Sequence, residues 1–142
     1  MVDTGTDHIS LTRRLPIDGA SLADVLARLR AETSGTILRW NLGDRGSCEI
    51  DVAFSGRPAV GVGFTTTAKF WGPGRVAGAS VQVVLLACED DETQLELHPA
   101  ATVGDWWCTH ISAFLDLAHA ALEELAQELL WQHARVRDEL AS

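Results

Sequence analysis

Residues 105 to about 139 carry the strongest periodic signal in the chain and dictate what the remainder must supply. Trp107, Ile111, Phe114, Leu115, Ala118, Ala121, Leu122, Leu125 and Leu129 recur at steps of three and four, on one stripe of a helical cylinder. Asp116, Glu123, Glu124, Gln127 and Glu128 fall on the other side. Such a helix gains most of its stability by burying the stripe, so the preceding residues must offer a complementary apolar surface.

That surface reads as a sheet. Residues 8–15 alternate Ile9, Leu11, Arg13 and Leu15 against His8, Ser10, Thr12 and Arg14, the pattern of a half-buried strand. Pro16 and Asp18-Gly19 stop it, and Ser21 is the expected N-cap of a helix with Asp24 at its third position. This helix buries Leu22, Val25, Leu26 and Leu29 and closes at Thr33-Ser34-Gly35. From 36 to 98 the period becomes two, and each break is turn chemistry. Leu38, Trp40 and Leu42 share one face, with Ile37, Arg39 and Asn41 on the other. After Gly43-Asp44-Arg45-Gly46, Cys48, Ile50, Val52 and Phe54 alternate with Glu49, Asp51 and Ala53. Val60, Val62, Phe64, Thr66, Ala68 and Phe70 follow at even spacing, ending at Trp71-Gly72-Pro73-Gly74. Residues 76–89 form a long strand, apolar on both faces from Val81 onward, as a central strand requires. Glu89-Asp90-Asp91-Glu92 is its hairpin tip, and 93–98 return with Leu95 and Leu97 on one side. Loops this short demand antiparallel neighbours.

The expected architecture is α+β: a curved antiparallel sheet of about six strands wrapped on a long C-terminal helix, one domain over residues 1–142. A helix of about 35 residues runs ~52 Å, so residues 132–142 are expected to project or fray. Trp131 beside Leu129 and Leu130 would then form an apolar patch, which predicts a homodimer through the C-terminal helix.

This order of elements resembles the helix-grip fold of the START-like superfamily, which includes polyketide cyclases, aromatase-like proteins and lipid-transfer domains. The resemblance is carried by the opening strand 9–15, the capped helix from Ser21, the meander 36–98 and the helix opening Asp105-Trp106-Trp107. It implies a cavity between sheet and terminal helix that holds an apolar molecule. The family usually has two short helices after its first strand, whereas one fits here before Gly35, which would narrow such a cavity.

A formal charge of -9 and a pI near 4.8 exclude the basic stripe that nucleic-acid binding needs. No run of ~18 apolar residues is present to span a membrane, and the N-terminal residues show no signal-peptide pattern. Three cysteines, Cys48, Cys88 and Cys108, are too few for a disulfide framework and fit a reducing compartment, so the cytoplasm is the expected location. No cofactor motif is present. His98, Cys108, His110, Asp116 and His119 match no zinc spacing, and the 89–92 acids lack the spaced ligands and glycine of a calcium loop, so no metal is expected. No nucleophile elbow or phosphate-cradling glycine loop is present, and no catalytic residue is assigned.

The aromatic residues remain. Trp40, Phe54, Phe64 and Phe70 fall on apolar strand faces, and Trp107 and Phe114 on the helix stripe. They either line a pocket for an apolar or aromatic ligand or fill the space between sheet and helix. Arg39 and Thr66 are the polar candidates beside them. The expected function is therefore binding of an apolar small molecule. A protein-interaction module using the acidic surface and C-terminal helix is the alternative, and a cyclase-like enzyme the third reading.

Overall fold

Alternation at residue level becomes a six-stranded antiparallel sheet, which the computed structural model describes over residues 11–32, 37–51, 63–72, 78–99 and 111–141. The strands are β1 (Leu11–Leu15), β2 (Ile37–Asn41), β3 (Ser47–Asp51), β4 (Gly63–Trp71), β5 (Gly78–Ala87) and β6 (Thr93–Pro99). Their spatial order is β1-β6-β5-β4-β3-β2, every pair antiparallel. The last five thus form a meander, and β1 returns to flank β6. Cross-strand rows fix which side chains share the inner face. Trp40, Cys48, Phe70 and Ala79 make one row, Leu38, Ile50, Ala68 and Val81 the next, and Thr66, Val83, Leu97 and Leu11 another.

Two helices cover this inner face. α1 (Gly19–Glu32) buries Leu22, Val25, Leu26 and Leu29, as their spacing predicts. Its cap differs from the expectation. The Ser21 backbone N–H donates to Asp18 Oδ2 at 3.4 Å, and the Leu22 N–H donates to the Asp18 carbonyl at 2.9 Å, so Asp18 and not Ser21 is the N-cap. The Thr93 hydroxyl, itself buried, donates to the Ile17 carbonyl at 2.7 Å and ties the approach to α1 to the sheet.

α2 (Ile111–Ala141) lies in the curl of the sheet, an arrangement compatible with a helix-grip fold. Its buried side is Phe114, Leu117, Ala118, Ala121, Leu122, Leu125, Ala126 and Leu129. Each fully buried leucine contributes roughly 1.5–3 kcal/mol, so this stripe is a principal source of stability. Leu117 and Ala126, half a turn apart around the helix, widen the arc on both sides beyond the sequence pattern. Further along, Gln132 and Val136 are also buried. There α2 runs antiparallel to α1, clasped by Arg28 to Glu139 at 2.6 Å and Arg135 to Glu32 at 2.9 Å.

Two close approaches need glycine. Gly46, which ends a single 3-10 turn at Gly43–Arg45, has φ 126, and a Cβ there would stand 2.0 Å from the Trp71 carbonyl oxygen. Gly78 would place a Cβ 2.4 Å from the Phe70 carbonyl oxygen.

Candidate functional site

The inner face has a sealed half and a less covered half. Under α2 the space is filled: Phe70 and Phe114 meet edge-to-face with ring centroids 5.8 Å apart, and Cys48, Ile50 and Ala68 beside them are fully buried. Burial, with a smaller push from the Glu49 charge, drives the Cys48 thiol well above its ordinary pKa, since a thiolate there would lack solvation. Toward the β2 edge the cover thins, and Leu38 and Trp40 are only half-buried against the core. Trp40 thus stands in the row of Cys48 and Phe70 but keeps part of its surface open.

Thr66 sits on the same face, one row beyond Ala68. Its hydroxyl donates to the Asp51 carbonyl at 2.9 Å. The Thr66 oxygen keeps capacity to accept a hydrogen bond.

The remaining candidates separate. Phe64 holds a register position opposite Leu85, further along the same face from Phe70. Phe54 and Trp107 lie outside the described residues, as do Cys108 and His110. Arg39 does not join the group. Alternation puts it on the outer face, 69% exposed and paired to Glu49 at 2.7 Å, because its neighbour Trp40 takes the inner one.

Two ion pairs flank α2 that residue patterns did not single out. Arg13, between Leu11 and Leu15 on the inner side of β1, binds Glu123 of α2. The signal was a cation at an inward position of a strand, since Glu123 itself falls on the side of the helix away from the stripe. Arg45 of the 3-10 turn lies 3.9 Å from Asp116. On the outer face, Glu96 accepts from Gln94 and contacts His98 Nε2 at 2.6 Å. His98 and Asp116 are thereby engaged on different elements, and the described residues contain no group of three His, Cys, Asp or Glu placed to hold a metal. Among them no helix is long and apolar enough to cross a membrane.

The exposed part of the expected dimer patch is smaller than its sequence. Leu129 is buried and Leu130 half-buried, leaving Trp131 56% exposed with the Arg135 guanidinium 5.0 Å from its ring centroid. No protein-family model matches the chain, and no curated protein matches it either.

Proposed function

We propose that this chain binds a small apolar or aromatic molecule against the β2–β4 part of its inner sheet face, in the manner of the START-like proteins it resembles. The observation that carries the reading is Trp40: a large aromatic on a concave apolar face, half open, beside the sealed Phe70–Phe114 pair. Leu38 extends the apolar surface, and Thr66 supplies an acceptor oxygen that would favour a ligand hydroxyl. Phe54, Phe64 and Trp107 are assigned to the same lining by strand alternation and the helix stripe. Arg39 is left out of it, being on the outer face.

The uncharged dye N-phenyl-1-naphthylamine tests this. A ligand bound only to the native state at about a hundredfold excess over its Kd stabilises by about 2.7 kcal/mol, a rise in Tm of roughly 5–10 °C for a domain of this size. The Trp40→Ala variant should lose most of that rise. No shift with the dye or with a panel of uncharged aromatic and acyl compounds would refute the reading, as would an undiminished shift in Trp40→Ala.

A further inference from the structure

A second open feature lies away from the sheet. Between α1 and the last turns of α2 runs a trough of about 390 Å³, lined by Asp24, Ala27, Arg28, Ala31, Val136 and Leu140. The two clasping ion pairs set its geometry: Arg28 and Glu32 on one helix meet Glu139 and Arg135 on the other, four residues apart on each. Ala27 and Ala31 are exposed, and their short side chains leave the space unfilled. Val136 closes the base, and Leu140, 76% exposed, forms an apolar wall.

The charge on its rim is one-sided. Arg28 and Arg135 are neutralised within the chain by Glu139 and Glu32. The Asp24 carboxylate has no ion-pair partner among the described residues. It stands one turn before Arg28, and the antiparallel register brings that turn to the C-terminal end of α2. That end carries the partial negative charge of the helix dipole, and its last turn contains no basic residue to offset it. An apolar wall thus borders a corner that favours a cation.

We propose that this trough binds a basic amphipathic helix of a partner protein. One apolar side chain of that helix seats on Ala27 and Ala31 against Leu140, and a lysine or arginine a turn away reaches Asp24 and the α2 carbonyls. The net charge of -9 would speed the encounter. The assignment is independent of the ligand reading for the inner face.

The probe is a fluorescein-labelled synthetic helix with leucines at helical spacing and flanking lysines, titrated by anisotropy into the full chain. Asp24→Lys and Leu140→Asp, both at exposed positions, should each weaken binding by about tenfold or more. Asp90→Lys at the β5–β6 hairpin tip makes the same charge change and should weaken it by about twofold or less. A probe carrying glutamate in place of lysine should not bind, and Trp40→Ala should bind the lysine probe as the parent does. Equal weakening by Asp24→Lys and Asp90→Lys would reduce the effect to general charge attraction and overturn the proposal. So would absent binding, or sedimentation showing a dimer that Leu140→Asp dissociates, which would make a second copy the occupant.

Discussion

At Gly46 the chain turns with φ 126, and a Cβ would meet the Trp71 carbonyl oxygen, which is backbone and has little room to yield. Gly43, three residues earlier, also has positive φ, at 72, but nothing lies within 4 Å of its Cβ position. Both glycines resist replacement, for different reasons. Gly43→Ala pays the left-handed backbone cost alone, about 1 kcal/mol, whereas Gly46→Ala adds a collision and should cost at least about 2–3 kcal/mol. Urea unfolding of the two variants checks the order, and equal losses would mean that β4 gives way more easily than its pairing implies. Single residues were unevenly legible. The inward placement of Trp40, Phe70 and Phe114 was legible because alternation and the helical period specify a face. Arg13 was passed over because its partner Glu123 lies far along the chain, and no local pattern reports a contact between a strand and a distant helix.

Among the elements, α1 shows how a short motif serves two purposes. Asp18-Gly19 reads as a turn that ends β1, and it is also where the helix begins, so Asp18 caps a helix that residue spacing alone would start at Ser21. Hydrogen bonds from Ser21 outweigh partial burial and hold the Asp18 carboxyl below its ordinary pKa. A carboxylate with a depressed native pKa adds stability above its unfolded value and loses it as pH falls through the native one. Asp18→Ala should therefore cost about 1 kcal/mol at neutral pH, and the gap to the parent protein should close as acid protonates the cap. A gap that persists unchanged in acid would show that the loss is not electrostatic. Glu139, depressed by its hydrogen bond with Arg28, follows the same sign. The pairing of the five meander strands was legible because each break was turn chemistry, whereas the place of β1 beside β6 was not. The width of α2's buried arc was not, since Leu117 and Ala126 extend it on both sides and their burial depends on what packs around the helix.

For the whole molecule, the formal charge of -9 is an excess of acids spread over the surface, of which the ion pairs absorb only a part. Self-repulsion opposes the compact state, and salt screens it. Exposed pairs such as Arg28–Glu139 weaken under the same screening, but pairs of this kind contribute little individually. Tm should therefore rise between about 20 and 200 mM sodium chloride, where the Debye length shortens from roughly 20 to 7 Å. A fall, measured by calorimetry, would mean that the clasp between the helices outweighs the net charge. The general architecture was readable before any coordinates, because short loops leave antiparallel neighbours as the only choice. That Leu38 and Trp40 stay half-buried was not, because it depends on where α2 comes to rest across the strands.

Among the described residues, β1 has its only sheet partner in β6. While the polypeptide emerges from the ribosome, residues 11–15 must wait with an unsatisfied edge until residues 93–99 have been made. α1 has neither the completed sheet nor α2 to lie on in that interval. Sequential hairpins from β2 to β5 can pair as they are made, so the late closure of β1 onto β6 is the one step of vectorial synthesis that leaves a described strand edge open to mispairing.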